Sequence, residues 1–213
     1  MTQASRRLIL ASRSPRRREL LADVGIPFQV IVSDVEETIT PELSPEAQAV
    51  ALAEQKTRDV ASRLETGIVL GADTIVAFGD KLLGKPEDDA DAIRMLQLLS
   101  GREHRVVTGI ALLDLTAGSL GSSAVSSVVR FRTLSDEDIA SYVASSEPRD
   151  KAGAYAIQGL GADLVTELEG CYTNVVGLPL CATAKFLSEA GMILGTMWTG
   201  CRLPGGALCP RQV

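Results

Sequence analysis

Apolar residues along the chain follow two patterns, short continuous runs and longer stretches in which they recur every three or four residues. The longer stretches are typical of amphipathic helices, and several of them begin at a proline and end before a glycine. They predict helices over Pro15 to Val24, Pro45 to Leu64, Asp89 to Ser100, Asp136 to Ser145 and Pro179 to Ala190.

The short apolar runs predict strands that alternate with these helices. They are Leu8 to Ala11, Phe28 to Val32, Ile68 to Leu70, Thr74 to Phe78, Arg105 to Leu115, Ser122 to Arg132 and Ala162 to Glu167. Such alternation is typical of an α/β fold. The runs on either side of Thr116 to Gly121 predict a long hairpin, so we expect a mixed sheet with flanking helices.

Length and composition indicate an ordinary globular protein. The chain has 213 residues, of which 46% are hydrophobic and 23% charged. We interpret residues 1–191 as a single domain. Residues 192–213 are rich in glycine and proline without sustained periodicity, which predicts a loosely ordered tail.

The charge balance limits the partners that we expect. A net charge of -6 argues against a general nucleic-acid binder or a membrane-surface binder. No apolar stretch approaches the roughly 18 residues that a membrane helix needs. We therefore expect a cytoplasmic protein with no nucleic-acid partner and no membrane partner.

Arginines are concentrated where the first strand leads into the first helix. Arg13 and the run Arg16 to Arg18 surround Ser14, a candidate N-cap, and Pro15, a residue suited to the first helical position. Cations at a helix N-terminus oppose the helix dipole, whereas a phosphate bound there is stabilised. The cluster indicates a phosphate site, and a solvated basic face is the alternative.

Asp73 lies between two apolar runs, Ile68 to Leu70 and Ile75 to Phe78. A carboxylate at a break between buried strands is costly unless it is hydrogen-bonded, paired with a cation or bound to a metal. This makes Asp73 a candidate catalytic residue. The alternative is an aspartate that caps a turn with its own backbone.

Two lysines add to the candidate anion site. Lys56 is at helical spacing from Leu52 and Val60, so it lies on the same inward face of the predicted helix. The alternative is that only its aliphatic stem packs there while its ammonium group extends to solvent. Lys85 precedes Pro86 in an extended segment. Open α/β sheets bind ligands at the ends of their strands, where both lysines are expected.

Glu36 and Glu37 follow the second predicted strand. With Asp73 they could bind a hard divalent cation through oxygen ligands, although adjacent surface glutamates are usually only solvated.

Cysteine and histidine provide no familiar metal motif. Cys171, Cys181, Cys201 and Cys209 have no C-x-x-C spacing, and His104 is the only histidine. We expect free thiols in a reducing compartment and a structural role for His104.

Six motifs occur together in one order along residues 8–190. They are Ser12-Arg13-Ser14-Pro15-Arg16-Arg17, Gly71-Ala72-Asp73-Thr74, Lys85-Pro86, Ser100-Gly101-Arg102-Glu103-His104, Asp150-Lys151-Ala152-Gly153 and Val176-Gly177-Leu178-Pro179. In this combination the chain resembles the Maf family of nucleoside-triphosphate pyrophosphatases.

The resemblance implies two lobes around a central cleft and a homodimer. It also implies hydrolysis of a nucleoside triphosphate to its monophosphate and pyrophosphate with Mg²⁺ or Mn²⁺. Asp73 would be the catalytic base or a metal ligand, and Glu37 would help to bind the metal. The implied phosphate and substrate contacts are Ser12, Arg16, Lys56 and Lys85.

Arg16, Thr74 and Gln158 match the dTTP/UTP-directed branch of that family. The carboxamide of Gln158 offers both a donor and an acceptor, which suits the edge of a uracil-type base. Two residues depart from the usual pattern, namely Gly84 where glutamate is common and Ala156 where glycine is common. There are two alternatives. One is a branch that acts on purine or methylated nucleotides, and the other is a nucleotide-binding regulator of cell division with little turnover.

Overall fold

The computed structural model of the protein describes residues 6–40, 42–196, 198–201 and 209. Its strands are β1 (Leu8–Ala11), β2 (Phe28–Val30), β3 (Ile68–Phe78), β4 (Lys81–Leu83), β5 (Glu103–Asp114), β6 (Ser119–Phe131) and β7 (Val165–Glu169). Its α-helices are α1 (Pro15–Ala22), α2 (Pro45–Ala61), α3 (Asp89–Leu99), α4 (Asp136–Ala144), α5 (Tyr172–Val176) and α6 (Leu180–Glu189). Short 3-10 segments occur at Glu147–Asp150, Ala152–Ala154 and Gly159–Leu164.

The strands form one mixed sheet in the order β2-β1-β3-β5-β6-β7, with β4 paired to the C-terminal end of β3. β1 is parallel to β2 and to β3, and the other pairings are antiparallel. β5 and β6 form the predicted hairpin, in register from the Glu103 and Arg130 pair to the Asp114 and Ser119 pair. The predicted α/β fold with a mixed sheet and flanking helices is confirmed.

Buried side chains form two large clusters at opposite ends of the long strands. One cluster contains Ile68 and Leu70 from the first half of β3. The other contains Val76 from its second half, together with Leu96 of α3 and Ile139 of α4. β3 therefore runs through both lobes, and its middle residues lie between them.

β3 is a single strand where we predicted two. It passes without interruption through Gly71 and Asp73, and Asp73 is paired with Gly109 of β5. The predicted break was wrong because a lysine of α2, and not a solvated turn, balances the charge of Asp73. An ion pair from above the sheet lets a carboxylate occupy the middle of a buried strand.

Short elements account for three further differences from the predicted pattern. The 3-10 segment Gly159–Leu164 delays the last strand, which begins at Val165 and not at Ala162. β4 and α5 were not predicted, because three and five residues are too few to show a period.

The helix starts follow from side-chain caps. The N-cap side chain accepts a hydrogen bond from a backbone N–H of the first turn in α1, α2, α3 and α4, and these caps are Ser14, Ser44, Asp88 and Ser135. Each cap satisfies one of the N–H groups that a helix start leaves unpaired.

α2 lies unusually close to the sheet because two strand positions facing it are glycines. A Cβ atom at Gly71 would lie 2.3 Å from Thr57 Oγ1, and one at Gly109 would lie 2.2 Å from the carbonyl oxygen of Ala49. Both distances are far below van der Waals contact, so only glycine permits this approach. The close packing brings Lys56 of α2 over the middle of β3.

The described part of the predicted tail contacts the body of the protein. The N–H of Gly195 donates to the carbonyl oxygen of Val24 at 3.0 Å, and Leu194 and Trp198 pack against the first core cluster. Cys201 is fully buried. The predicted tail also includes residues that lie outside the described part of the chain, namely Met197, 202–208 and 210–213.

Within the described ranges, no helix has the length and apolar character to cross a membrane.

Candidate active site

A cleft of about 950 Å³ opens between the two lobes along the middle of β3. Its size falls within the range of small-molecule sites. All the predicted site residues line it, namely Ser12, Arg16, Glu37, Lys56, Asp73, Thr74, Lys85 and Gln158. Residues from distant parts of the chain meet there because the β1 to α1 turn, α2, β3 and the 3-10 segments converge between the lobes.

Asp73 and Lys56 form a buried ion pair at the floor of the cleft. Their exposed fractions are 6% and 8%, and Lys56 Nζ donates to Asp73 Oδ1. Neither residue caps a turn or extends to solvent, so these two alternatives do not hold. A buried carboxylate held by a single ammonium group keeps other oxygen lone pairs available for further partners.

Glu37 extends this pair into a row of alternating charges. Its Oε1 accepts from Lys56 Nζ at 2.7 Å, and its Oε2 lies 3.1 Å from Lys85 Nζ. Burial alone would raise the pKa of Glu37, but Lys56 and Lys85 outweigh it and lower the pKa to about 2. Asp73, Lys56, Glu37 and Lys85 thus follow one another from the floor to the rim of the cleft.

Arg17 is the arginine most closely built into the site, whereas the sequence favoured Arg16. Its Nε donates to the carbonyl oxygen of Gly177 at 2.8 Å, and a terminal nitrogen donates to Thr74 Oγ1 at 3.0 Å. Burial lowers the pKa of Arg17, and the nearby charges of Asp73 and Glu37 counteract part of that effect. The side chain therefore presents a fixed cation to the cleft beside Asp73.

The other arginines of the cluster are less confined. Arg16 lies 3.5 Å from Asp150, with 24% of its side chain exposed. Arg13 also lines the cleft, but 79% of its side chain is exposed and it lies 3.6 Å from Asp34. Arg18 is exposed and is not among the lining residues. The cluster thus divides into Arg16 and Arg17 at the cleft wall, Arg13 at its rim and Arg18 in solvent.

Thr74 is positioned by a relay of hydrogen bonds that the sequence did not indicate. Thr74 Oγ1 accepts from Arg17 and lies 2.9 Å from Thr108 Oγ1. Thr108 Oγ1 donates to the carbonyl oxygen of Asn174, and the buried Asn174 side chain donates to the carbonyl oxygen of Val106. Since Thr108 directs its proton to Asn174, Thr74 is the donor between the two hydroxyl groups. α5 therefore sets the orientation of a cleft residue on β3.

A second unpredicted network supports the segment that carries Gln158. The hydroxyl group of Tyr142 accepts from the N–H of Ala156 at 3.1 Å and donates to Glu147 Oε1 at 2.9 Å. Glu147 also accepts from the N–H of Gly161 at 3.1 Å. This carboxylate thus fixes the chain on both sides of Gln158. The sequence carries no motif for it.

The two departures from the resembled pattern both line the cleft. Gly84 has no side chain to place in the cleft, and a Cβ atom added to it would meet nothing within 4 Å. Its carbonyl oxygen accepts from the N–H of Gly153 at 2.9 Å. Crowding therefore does not require glycine at position 84, and the cleft has room for a longer side chain.

His104, for which a structural role was expected, and Glu36 both lie outside the cleft. His104 is 3% exposed and its ring packs edge-on against Phe131 and Tyr155, with Nε2 2.7 Å from the hydroxyl group of Tyr155. Burial lowers its pKa to about 4. Glu36 is exposed and is not among the residues that line the cleft, so Glu37 alone of the acidic pair reaches it.

Comparisons with known proteins identify the family of the chain. The family model described as "Maf-like protein" matches residues 7–190. The dTTP/UTP pyrophosphatase of Syntrophotalea carbinolica is 50% identical over 188 residues, which cover 87% of this chain and 86% of that protein. The enzyme of the same name from Ruminiclostridium cellulolyticum is 50% identical over 86% of this chain and 96% of its own length. That from Geotalea uraniireducens is 48% identical over 91% of this chain and 100% of its own.

A match of this extent covers both lobes and every residue of the charged row on the cleft floor. The chain belongs to the Maf family.

Proposed function

We propose that the protein is a nucleoside-triphosphate pyrophosphatase that hydrolyses dTTP and UTP to the monophosphate and pyrophosphate. The observation that carries the proposal is a buried carboxylate, Asp73, held beside four cations, namely Arg16, Arg17, Lys56 and Lys85, in one cleft. Relatives about 50% identical to the chain bear the name of this activity. Such a cleft suits a substrate that carries several negative charges and needs an activated water.

Arg16, Lys56 and Lys85 bind the triphosphate in this proposal. In the free protein each is paired with a carboxylate, Arg16 with Asp150 and the two lysines with Glu37. These pairs keep the cations in place, and phosphate oxygens replace the carboxylate partners that are exposed. Charge-assisted contacts to the leaving pyrophosphate then stabilise the charge that develops on it.

Asp73 orients and deprotonates the attacking water. A new bond forms between the water oxygen and the α-phosphorus, and the bond to the bridging oxygen of the β-phosphate breaks. The water proton passes to the Asp73 carboxylate, and the electron pair of the broken bond leaves with pyrophosphate. A general base of this kind contributes roughly a hundredfold or more to the rate.

The residues present fit a divalent cation, Mg²⁺ or Mn²⁺. Asp73 and Glu37 both accept a hydrogen bond from Lys56 Nζ, so two carboxylates converge on one point of the cleft. Two carboxylates together with substrate phosphates are the usual ligand set of Mg²⁺. Asp73 and Glu37 would hold the ion, and when bound it supplies charge neutralisation for the phosphates. As a metal ligand, Asp73 would orient the water in place of deprotonating it.

Gln158 and Thr74 select the base and the sugar end of the substrate in this proposal, with Ser12 beside the phosphates. Gln158 directly precedes the 3-10 segment Gly159–Leu164, which Glu147 fixes by accepting from the N–H of Gly161. A carboxamide held in one orientation presents one donor and one acceptor to the base edge. Purine or methylated triphosphates are the competing substrates.

Gly84 bears on the alternative of a binding protein with little turnover, because a carboxylate is common at this position. The row Asp73, Lys56, Glu37 and Lys85 is complete without it. Because the row retains both carboxylates, Asp73 and Glu37, beside both lysines without a side chain at position 84, it favours catalysis over binding alone.

One experiment tests the proposed function. The protein is incubated with dTTP, UTP, purine and methylated triphosphates in Mg²⁺ or Mn²⁺, and pyrophosphate and orthophosphate are measured separately. Pyrophosphate release fastest from dTTP and UTP is expected. Orthophosphate as the first product, or tight nucleotide binding without turnover in either metal, would contradict the proposal.

We also propose a homodimer that acts in the cytoplasm, on the strength of the family resemblance and the net charge. Light scattering of the purified protein with and without nucleotide tests the dimer, and a monomeric mass in both would refute it.

A further inference from the structure

Three of the four cysteines meet in a cluster away from the cleft. The Sγ atoms of Cys171, Cys201 and Cys209 all lie within 4.8 Å of one another. Their residues are 4%, 0% and 2% exposed. None of the three lines the cleft, so the proposed hydrolysis does not use them.

The cluster joins two distant parts of the chain. Cys171 is the N-cap residue of α5, whereas Cys201 and Cys209 belong to the C-terminal segment. The N–H of Cys209 donates to the carbonyl oxygen of Cys201 at 2.8 Å. This bond holds the backbones of the two residues together beside Cys171.

A threonine supports the sulfur atoms from the side of α5. Thr173 Oγ1 lies 3.3 Å from Cys171 Sγ and 3.2 Å from Cys201 Sγ. The same oxygen accepts from the N–H of Leu180, so its own proton is directed to a sulfur atom. A donor aimed at a thiolate is the kind of outer contact that metal-bound cysteines receive.

The remaining cysteine, Cys181, is in α6, and its thiol is not among the sulfur atoms that lie within 4.8 Å of one another.

We propose that Cys171, Cys201 and Cys209 bind one Zn²⁺ ion as thiolates and supply three of its four tetrahedral ligands. Zn–S bonds of about 2.3 Å in a tetrahedron place sulfur atoms about 3.8 Å apart, a spacing that small side-chain rotations reach from the observed cluster. A disulfide would join only two of these atoms at about 2.0 Å and leave the third unpaired. No disulfide joins the cysteines of the described residues.

The ion fastens the C-terminal segment to the N-terminal end of α5. The opposite end of this helix leads to Gly177, whose carbonyl oxygen holds Arg17. Zn²⁺ therefore stabilises the wall of the cleft without touching the substrate. Metal binding and folding of the segment are coupled, as in other structural zinc sites.

The test uses the full chain purified with a thiol reductant and without added chelator. Elemental analysis is expected to find about one zinc per chain, and metal-free protein is expected to take up one Co²⁺ with a thiolate charge-transfer band. Cys201→Ser and Cys209→Ser are expected to lower bound zinc below about 0.1 per chain. Ser188→Ala, an exposed substitution on α6, is the matched control and keeps the full amount.

Failure of the proposal has distinct signatures. Four titratable thiols in native protein that takes up neither Zn²⁺ nor Co²⁺ would overturn it, as would a disulfide between any two cluster cysteines. Full zinc content in Cys201→Ser would equally overturn it. The wild-type Co²⁺ titration decides the matter even where a variant fails to fold, and it does not depend on nucleotide hydrolysis.

Discussion

Gly109→Ala tests whether the approach of α2 to the sheet sets the geometry of the catalytic floor. Gly109 is the β5 residue paired with Asp73, and Lys56 reaches Asp73 from α2. The added Cβ atom would lie 2.2 Å from the carbonyl oxygen of Ala49 and 2.5 Å from the N–H nitrogen of Val50. Both are backbone atoms, so no side-chain rotation relieves the clash.

The size of the effect follows from these distances. Ordinary van der Waals contact begins at 3.4 Å, so α2 and β5 must separate by about 1 Å. Overpacking of this kind costs about 1–3 kcal/mol, or about 2–12 °C in Tm for a chain of this length. A displacement of about 1 Å of catalytic groups lowers the rate about a hundredfold. We therefore expect a lower Tm together with a kcat for dTTP reduced tenfold to a hundredfold, or about 1.4–2.7 kcal/mol.

Gly121→Ala is the matched control for this substitution. Gly121 also lies in a strand, but a Cβ atom there would meet only Phe186 at 3.8 Å, which is ordinary contact. Its Tm and kcat are expected to stay near those of the wild type. A Gly109→Ala protein with a lowered Tm but an unchanged kcat would refute the reasoning, because the position of Lys56 would then not depend on the packing of α2.

Three further predictions concern single side chains. Asp73→Asn is expected to lower kcat at least about a hundredfold while nucleotide binding persists in calorimetry; near-normal turnover would remove Asp73 from the mechanism. Arg16→Ala is expected to weaken kcat/KM without lowering the Tm of the free protein. Arg17→Ala is expected to lower both, because it also loses hydrogen bonds to Gly177 and Thr74 worth about 1.5–3 kcal/mol each; equal Tm values for the two variants would contradict this difference. Burial lowers the pKa of His104 from 6.5 to about 4, so the unfolded chain takes up its proton first as the pH falls. The stability that this residue contributes is complete above about pH 6.5 and is lost as the pH falls toward 4. His104→Gln is therefore expected to flatten the plot of Tm against pH between these two values. An unchanged slope would show that other groups control the pH dependence of Tm.

Local signals in the sequence were enough for the principal elements of the fold. The serines and aspartate before four of the helices are caps whose hydrogen bonds involve residues only a few positions away. The hairpin of β5 and β6 likewise depends on two adjacent apolar runs and one turn. These features are determined by short-range interactions, and for that reason the pattern of residues predicted them.

The course of β3 and the choice of arginine depend on partners distant in sequence. A charged residue inside an apolar stretch indicated a break, but Lys56 of α2 allows Asp73 to remain within the strand. Arg16 and Arg17 are adjacent in the same first turn, and only their contacts across the fold distinguish them. Gly177 and Thr74 hold Arg17, whereas Arg16 is paired with the exposed Asp150.

The sequence by itself determined the principal helices and strands of this protein, its local helix caps and eight of the residues that line its cleft. Only the tertiary structure decided how these residues pair, because an ion pair or a thiol cluster requires a distance between side chains that no spacing along the chain specifies. Cys171 and Cys201 illustrate this difference. They lack a metal-binding spacing in the sequence, yet the packing of the C-terminal segment against α5 brings their sulfur atoms within 4.8 Å.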